Sequence, residues 1–537
     1  MKKDRLFGGE DDGKDGVKMY DVSIVNRVAV GDILRRSASR YPEKTAFVQH
    51  DRKWTFREVD QLCNQFANFL LSSGLKKGDT IATICTNSFE FIVTIYGISK
   101  AGLIWVPINP GISFEEKKYI LQQVKAKLII GDQMLVQEKL EEYKTFARTI
   151  ILEGDFEKFY SLFKDQAVEE PLTDIHDRDV AQIMFTSGTT GNPKGVMISH
   201  LAVYIASLGN IIEMGLKQDD ITTVLMPIFH CAQHTFTTSF LHIGATSVIF
   251  NKFAPEELMK NIEKEKITWT FMLPMMYKAI LHHPKRKNYD LSSLRTCMYA
   301  MAPMDRPTLE KLIKELDADF VLGTGQTEIY PATMMFKPEE QLRRFGSYWG
   351  VSSLINDTAV MDEEGNILPK GQIGEIVHRG PNVMIGYLNN EEETLESRKF
   401  GWHHTGDLGY WDEDGQLVFV DRKKDLIKTG GENVASIKVE QVLLMHDKVA
   451  NAVAVGLPHE RWVEAVTAFV VPKPDVEISE KEILEHCKKH LGKFQVPKSV
   501  IFLEQLPMTT TGKIQKHVLR KRYNDFYINN RSTSYEV

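Results

Sequence analysis

A regular pattern of hydrophobic and polar positions begins near residue 45. The short apolar run Thr45–Gln49 predicts a strand, and a polar turn leads from it to Thr55. Thr55 followed three residues later by Glu58 is the pattern of a capping box, which starts a helix by satisfying its first free N–H groups. Hydrophobic residues at intervals of three and four then indicate the helix, and Gly74 ends it. These positions are Val59, Leu62, Phe66 and Leu70.

Strand and helix patterns continue to alternate after this first helix. Residues 79–85 are strand-like, and residues 86–88 carry polar side chains that can cap a helix over Phe89–Lys100. Residues 102–110 then indicate another strand and a turn. Strands that alternate with helices predict a largely parallel sheet covered by helices on both faces.

The C-terminal part of the chain has a pattern of its own. Residues 449–455 and 464–471 are strand-like, and Ser479 begins a capped helix that ends near Leu491. A last strand is predicted from Ser499. These elements predict a small, separate C-terminal module.

Composition narrows the class of protein. The chain has 537 residues, with 43% hydrophobic and 26% charged residues, which are the proportions of a globular protein. Lys and Arg total 66 and Asp and Glu total 72, so the net charge of −6 argues against nucleic acid as a partner. A monomer and a homodimer are both compatible with this composition.

Cysteine usage and hydropathy indicate the compartment. Five scattered cysteines without a C-x-x-C pair indicate neither a disulfide framework nor a thiolate zinc site, which favours the cytoplasm. Residues 1–20 show no signal peptide and are expected to be a disordered tail. The most apolar stretch, residues 91–112, is interrupted by Lys100, Pro107 and Pro110, so no spanning helix is predicted and any membrane contact is expected to be peripheral.

The strongest local motif, residues 186–195, directly follows a strand-like run. Its glycines let the backbone approach an oxyanion, its hydroxyls donate hydrogen bonds and its lysine adds a point charge, which together suit a polyphosphate. It is not a Walker A loop, because Pro193 precedes Lys194 and Gly195-Val196 follows. The candidate phosphate-binding residues are Thr186, Ser187, Gly188, Thr189, Thr190, Gly191 and Lys194.

Further motifs extend this pattern along most of the chain. They are Phe229-His230, Gly325-Gln326-Thr327-Glu328, Gly374-Glu375, Arg379-Gly380, residues 402–407, Asp421-Arg422, residues 430–433 and residues 507–513. With the phosphate loop, they resemble the adenylate-forming superfamily, which comprises acyl-CoA synthetases, aryl-CoA ligases, peptide-synthetase adenylation domains and firefly luciferase. The resemblance covers residues 30–523, and the segment after residue 430 resembles carnitine-type CoA ligases.

The resemblance implies a fold and an activity. The expected fold is α/β: a large multi-layer N-terminal domain with mostly parallel sheets, residues 21–423, binds AMP, and a small mobile C-terminal α+β domain spans residues 424–537. The expected reaction uses ATP, Mg²⁺ and coenzyme A to convert a carboxylic acid into an acyl-adenylate and then a thioester. The domain hinge is expected at Lys424.

The resemblance also implies roles for individual residues. Lys513 is expected to be catalytic, together with Glu328, Thr327 and His230, and Glu328 and Thr186 are expected to hold Mg²⁺. Besides the phosphate loop, the residues expected to bind nucleotide or coenzyme A are Ala302, Pro303, Gly325, Asp407, Arg422, Gly430 and Gly431. Asp407 and Arg422 would contact the ribose, and the two glycines would admit the thin pantetheine arm.

The acid pocket is expected to involve His230, Gln233, His234, Met301 and Ile329. Three segments depart from the family pattern. Thr324 replaces an aromatic residue expected against adenine, residues 300–303 carry the bulkier Met301 where the family has a Gly-Ala-Ala-Pro type segment, and Ala435-Ser436 replaces a Tyr-Pro pair.

A medium- or long-chain fatty acid is the first candidate substrate. A small polar or aromatic acid of the carnitine or crotonobetaine kind is the alternative, because of the histidines and Gln233. Carrier-protein loading, a luciferase-like oxygenase and a nucleotide sensor are further alternatives. An assay of pyrophosphate release with and without coenzyme A distinguishes among the main classes.

Overall fold

The computed structural model describes residues 25–186, 193–300, 304–331, 333–344, 346–508 and 514–529. The predicted tail, residues 1–20, lies outside this part of the chain.

The described strands, in chain order, are β1 (Thr45–Gln49), β2 (Arg52–Thr55), β3 (Thr80–Ile84), β4 (Ile104–Pro107), β5 (Leu128–Asp132), β6 (Arg148–Leu152), β7 (Val180–Thr186), β8 (Lys194–Ser199), β9 (Ile221–Val224), β10 (Thr246–Ile249), β11 (Trp269–Met272), β12 (Thr296–Tyr299), β13 (Asp319–Thr324), β14 (Met334–Phe336), β15 (Tyr348–Ser352), β16 (Asp357–Met361), β17 (Gly374–Arg379), β18 (Gly386–Tyr387), β19 (His403–Trp411), β20 (Leu417–Arg422), β21 (Ile427–Thr429), β22 (Glu432–Val434), β23 (Val449–His459), β24 (Val463–Pro472) and β25 (Ser499–Phe502).

The described α-helices are α1 (Val30–Arg40), α2 (Phe56–Ser72), α3 (Phe89–Lys100), α4 (Phe114–Val124), α5 (Gln133–Val136), α6 (Leu140–Lys144), α7 (Phe156–Ser161), α8 (His200–Glu213), α9 (Cys231–Ile243), α10 (Pro255–Glu265), α11 (Pro274–Leu281), α12 (Arg306–Leu316), α13 (Pro338–Gln341), α14 (Glu391–Glu396), α15 (Ser436–Leu444), α16 (Glu480–His490), α17 (Lys516–Arg522) and α18 (Phe526–Asn529).

The predicted local elements are confirmed. Thr55 Oγ1 accepts a hydrogen bond from the Glu58 N–H at 3.3 Å, and the Glu58 carboxylate accepts one from the Thr55 N–H at 2.7 Å. Helix α3 is buried along its whole length, which explains why its pattern is apolar on all sides. Its buried Lys100 is ion-paired with Asp60 at 2.8 Å.

Three sheets organise the described chain. The largest has the order β16-β17-β19-β20-β15-β14-β13-β12-β11-β9-β10-β1-β2, and the second has the order β18-β8-β7-β4-β3-β5-β6. The third has the order β22-β21-β24-β23, with β25 paired to β24. Helices pack against these sheets, so the core lies between layers.

The predicted α/β fold class is confirmed, with mixed sheets in the large N-terminal part. Strands β9 to β13 pair in parallel, as the alternating pattern predicts. Strands β13, β14, β15 and β20 pair antiparallel, an arrangement that needs no crossover helix between neighbouring strands. The antiparallel half continues from β20 through β19 and β17 to the edge strand β16, and β20 is the strand that leads to the predicted hinge.

The third sheet has its own hydrophobic core. Its two buried clusters draw their members from residues 427 onward. The division into domains at residues 423 and 424 stays a prediction, and this separate core supports it. No helix among the described residues has the length and apolar character needed to cross a membrane.

Val463 begins β24 in a conformation that disfavours its side chain. A three-residue connection joins β23 to β24, and Val463 has φ 68° with 71% of its surface exposed. Hairpins of this kind favour glycine at the left-handed position, and a β-branched residue there is strained.

Replacing Val463 by glycine is therefore expected to raise the free energy of unfolding by about 1 kcal/mol. Urea unfolding measures this change. Val463→Ala serves as the control, because alanine keeps the Cβ atom and should recover less stability than glycine. A lower unfolding midpoint for Val463→Gly would contradict the strain argument.

Candidate active site

A cleft of about 2770 Å³ collects residues from the large body and from the C-terminal segment. The predicted site residues that line it are Thr186, Lys194, His230, Gly325, Thr327, Glu328, Asp407, Arg422 and Lys424. The predicted residues Ser187, Gly188, Thr189, Thr190, Gly191, Met301, Ala302, Pro303 and Lys513 lie outside the described residues.

The two ends of the phosphate loop are held together by a hairpin. Thr186 ends β7, Lys194 begins β8, and the two residues are cross-strand partners. The Lys194 ammonium is ion-paired with the Glu393 carboxylate of α14 and lies 5.3 Å from the centre of the Tyr387 ring. One end of the loop therefore carries a cationic side chain, Lys194, whose charge is paired with the Glu393 carboxylate.

Tyr387 links this cation to Glu328. Its hydroxyl donates a hydrogen bond to Glu328 Oε1 at 3.2 Å. Burial, together with the Glu328 charge, raises the pKa of Tyr387, so the phenol stays protonated and remains a donor. Sequence reasoning identified Lys194 and Glu328 but missed Tyr387 and Glu393, because no local motif connects these residues with the phosphate loop.

The Glu328 side fits Mg²⁺. This hard cation prefers one or two carboxylates completed by water and phosphate oxygens. No group of three His, Cys, Asp or Glu side chains in the described part of the chain could hold a metal ion by itself. Glu328 supplies one such carboxylate in the same cleft as Thr186 and Lys194, and phosphate would supply further oxygens.

A second polar group surrounds Asp407. Asp407 of β19 and Arg422 of β20 are cross-strand partners, and Arg422 Nε lies 3.5 Å from Asp407 Oδ1. Gln326 Nε2 donates to Asp407 Oδ2 at 2.7 Å and to the Thr405 carbonyl at 2.9 Å. These bonds orient a nearly buried carboxylate, which can accept hydrogen bonds from a pair of hydroxyls. Sequence analysis placed Gln326 in a motif but assigned it no role.

The start of α9 forms another wall of the cleft. The His230 side chain caps the helix and accepts a hydrogen bond from the Ala232 N–H at 3.4 Å. Cys231 Sγ lies 3.5 Å from Thr327 Oγ1, and burial raises the pKa of this thiol to about 11. Cys231 is therefore a neutral thiol at physiological pH.

Gln233 and His234 are buried behind this wall and do not line the cleft. Gln233 accepts from the Met226 N–H at 3.0 Å and donates to Thr237 at 3.2 Å. His234 Nδ1 is hydrogen-bonded to the Tyr330 hydroxyl. On a helix, residues four apart share a face, so Gln233 faces inward together with Thr237.

Apolar side chains line the same side of the cleft. They are Phe229, Ala232, Phe236, Phe271, Met298 and Ala300. Ala232 and Phe236 are four residues apart and so share the cleft side of α9, where Ala232 is half-buried and Phe236 is buried. Ile329, predicted for this pocket, is fully buried and does not line the cleft.

The C-terminal segment presents one face to the cleft. Residues 514–517 line it, whereas Gly430 and Gly431 do not. These glycines form the turn between β21 and β22, and the Gly430 N–H donates to the Trp462 carbonyl at 2.9 Å. The structure thus separates the predicted pantetheine loop from the predicted nucleotide residues.

Lys424 lies beside the ribose-side residues. Burial, followed by repulsion from Arg422, lowers the pKa of its ammonium. Lys424 lies two residues after β20 and three residues before β21, in the connection between the largest sheet and the third sheet.

Two buried histidines close to the cleft give the fold a pH dependence. His378 and His403 are cross-strand partners, and burial lowers their pKa values to about 4 and about 3. Neither ring nitrogen of His403 has a hydrogen-bond partner among the described residues. Both side chains are therefore neutral in the folded protein.

The free energy of unfolding is expected to fall as the pH drops from 6.5 towards 4. In this range the unfolded chain binds protons that the buried histidines do not, so stability is complete above pH 6.5 and is lost below it. His403→Phe should remove about 2 kcal/mol of this loss at pH 5. Urea unfolding at pH 7.5 and pH 5 measures it, and equal losses in variant and parent would contradict the assignment.

One cleft thus holds Thr186 and Lys194, the two ends of the predicted phosphate loop, together with a carboxylate suited to Mg²⁺ and a carboxylate suited to ribose. These features define a nucleotide-dependent enzyme of the adenylate-forming class. The AMP-binding enzyme family model matches residues 34–388, and that of the AMP-binding enzyme C-terminal domain matches residues 438–513. The chain belongs to this family and is an AMP-forming acid–CoA ligase.

Three similar proteins illustrate the relationship. Feruloyl-CoA synthase from an Amycolatopsis species is 32% identical over 490 residues, which cover 91% of this chain and 98% of that protein. The structure of a Mycobacterium tuberculosis fatty acyl CoA synthetase has a TM-score of 0.76 and 28% identity, covering 93% of this chain and 99% of that one. The Bacillus subtilis O-succinylbenzoate coenzyme A synthetase with ATP and magnesium ion has a TM-score of 0.82 and 27% identity, covering 91% and 98%.

Proposed function

We propose that this protein ligates a medium- or long-chain fatty acid to coenzyme A through an acyl-adenylate, releasing AMP and pyrophosphate. The observation that carries the proposal is the single cleft in which Glu328, Lys194 and Asp407 lie beside an apolar wall. Nucleotide-binding groups and an acyl-binding surface must meet in this way for a carboxylate to attack the α-phosphate of ATP.

In the first step, a carboxylate oxygen bonds to the α-phosphorus and the bond to pyrophosphate breaks. Lys194 and the loop that it closes would bind the leaving pyrophosphate, and Thr327 would bind the α-phosphate. Glu328 would hold Mg²⁺, which when bound neutralises phosphate charge as a Lewis acid. Asp407, fixed by Gln326, would accept hydrogen bonds from the ribose hydroxyls.

In the second step, the thiol sulfur of coenzyme A bonds to the acyl carbonyl and AMP leaves. Gly430 and Gly431 would line the passage for the pantetheine arm. Because they lie outside the cleft in this arrangement, the second step needs the segment after Lys424 to turn as a body. We therefore retain residues 424–537 as a mobile domain and Lys424 as its hinge.

The lining of the cleft supports an apolar acyl group. Phe229 and Ala232 are the half-buried residues of this apolar side, and the buried Phe236, Phe271 and Met298 also line it, so a hydrocarbon chain would meet no unpaired polar group there. Gln233 and His234 do not line the cleft. These two polar residues, which favoured a small polar acid in the sequence, therefore do not support that substrate.

An aromatic acid is a second candidate. The side of the cleft next to His230 carries three phenylalanine rings, Phe229, Phe236 and Phe271, and rings pack well against aromatic substrates. The similarity to a feruloyl-CoA synthase supports this candidate too.

A panel of fatty, aromatic and small polar acids tests the proposal. Pyrophosphate release and thioester formation are measured for each acid, with coenzyme A, with pantetheine and with neither. The highest kcat/KM is expected for a fatty acid, with AMP release dependent on coenzyme A. A clear preference for an aromatic acid would select the second candidate, and no pyrophosphate release with any acid would overturn the proposal.

A further inference from the structure

A chain of buried polar contacts joins the large body to the C-terminal segment. The Asp421 carboxylate, at the end of β20, accepts hydrogen bonds from the Ser436 N–H at 2.5 Å and the Ser436 hydroxyl at 2.7 Å. Ser436 Oγ accepts one from Lys516 Nζ at 2.5 Å. Lys516 Nζ also lies 2.7 Å from Glu440 Oε1. The four side chains thus form one continuous network of two acids, one base and one hydroxyl.

Ser436 is the central member of this network. It is the first residue of α15, and its N-cap residue Ala435 makes no side-chain hydrogen bond to the helix. Asp421 supplies the missing acceptor, because the first N–H groups of a helix have no partner within it and carry positive potential. The Ser436 hydroxyl uses its single proton towards Asp421 and accepts from Lys516, so it connects two charges of opposite sign.

Because the network is buried, its stability depends on the spacing of its side chains. Asp421 is 1% exposed and Ser436 is fully buried. A buried carboxylate that loses its donors carries a large desolvation cost. The network is therefore stable only while Asp421, Ser436 and Lys516 keep their present spacing.

The network lies on both sides of the proposed hinge. Asp421 precedes Lys424 in the chain, whereas Ser436 and Lys516 follow it. Helix α17, which carries Lys516, makes a second contact near the hinge: Arg520 is ion-paired with Asp425 at 2.9 Å. Lys516 and Arg520 are four residues apart and share one face of α17, so the helix is held at two points.

Helix α17 starts three residues after Lys513. Holding this helix near Asp421 and Asp425 also restricts the backbone of Ile514 and Gln515, which immediately precede it. In this arrangement residues 514–517 line the cleft, on the side of the predicted nucleotide residues.

We propose that Ser436 is a positioning residue for the adenylate-forming step, acting through Lys516 to hold the C-terminal segment against the cleft. The inference rests on the proposed two-step function. It extends that function by assigning the network to the first step alone, since turning about Lys424 would separate Asp421 from its two Ser436 donors while the Arg422 N–H, 2.8 Å from Asp421 Oδ1, stays in place.

Ser436→Ala tests the proposal most directly, because it removes the hydroxyl and keeps the backbone N–H. It should lower kcat for pyrophosphate release about tenfold, the effect of losing one hydrogen bond to a charged group. KM for ATP and acid should stay the same, and thioester formation from supplied acyl-adenylate should be equal to or faster than in the parent. Lys516→Met should show the same split.

Ser479→Ala is the matched control. Ser479 is an exposed residue that caps α16 in the same segment, and its hydroxyl accepts from the Glu482 N–H at 3.2 Å, so this variant loses one serine hydrogen bond away from the network. It should lower stability without separating the two half-reactions. Equal losses in both half-reactions for Ser436→Ala, or the same split for Ser479→Ala, would overturn the proposal.

Hydrogen exchange provides a readout that does not depend on activity. Amides of α17 should exchange faster in Ser436→Ala and at the parent rate in Ser479→Ala. Unchanged exchange in Ser436→Ala would refute the network's role even in an active enzyme. Conversely, if α17 exchanges faster in Ser436→Ala than in the parent but the parent activates no acid, the network is supported and the proposed function is rejected.

Discussion

Replacing Lys513 by alanine is expected to slow acyl-adenylate formation by about 10²- to 10³-fold. In the proposed first step a carboxylate approaches a negatively charged phosphate, and a flexible ammonium placed between them neutralises the developing charge. Thioester formation from supplied acyl-adenylate should remain largely intact, because that step builds no bond to phosphorus. Pyrophosphate release and thioester formation, measured separately, give the two rates.

Lys521→Ala is the control for this prediction. Lys521 is an exposed lysine of α17 that lines the cleft, so it carries the same charge as Lys513 and lies eight residues after it in the chain. Its loss should leave both half-reactions unchanged. Equal losses in both half-reactions for Lys513→Ala would assign that residue to stability or to general charge instead of the first step.

Glu328→Gln is expected to weaken the apparent affinity for Mg²⁺ by about tenfold to 100-fold and to lower the rate of adenylation accordingly. Glutamine keeps the size of the side chain and an oxygen that can accept from Tyr387, so the local structure should persist. It removes the negative charge that a hard cation prefers. Pyrophosphate release titrated with Mg²⁺ measures the effect, and calorimetry of ATP binding with and without Mg²⁺ measures it independently of turnover.

Glu396→Gln is the matched control for Glu328→Gln. Glu396 also lines the cleft, but it is exposed and ion-paired with Lys399 at 2.6 Å. The Mg²⁺ dependence of this variant should equal that of the parent. An unchanged Mg²⁺ dependence in Glu328→Gln would remove Glu328 from the metal site.

Local structure was largely predictable from the sequence because its causes are local. The capping box at Thr55, the cap of α3 at Ser88 and the C-terminal strands follow from residues close together in the chain. Sheet order was not predictable in the same way. Strand β1 pairs with β10, and no short pattern around residue 47 specifies a partner near residue 247.

The residues of the candidate site also fall into those that the sequence predicted and those that it did not. Lys194, Glu328 and Asp407 could be selected from motifs, because each sits in a run of residues suited to phosphate, metal or ribose. Their partners Tyr387 and Gln326 could not be assigned, because a hydrogen bond between distant segments leaves no local pattern. The direction of Gln233 also escaped prediction, since both faces of α9 carry polar residues.

The sequence by itself determined the chemistry available to this protein: a hydroxyl-rich loop with one lysine, two acidic motifs and a C-terminal lysine. The tertiary structure alone decided which charges meet, pairing Lys194 with Glu393 and joining Asp421 to Lys516 through Ser436. The physical reason is the distance along the chain over which each interaction acts. Capping and helical periodicity act over a few residues, whereas a buried charge is stabilised only by donors that the packing of distant elements brings within about 3 Å.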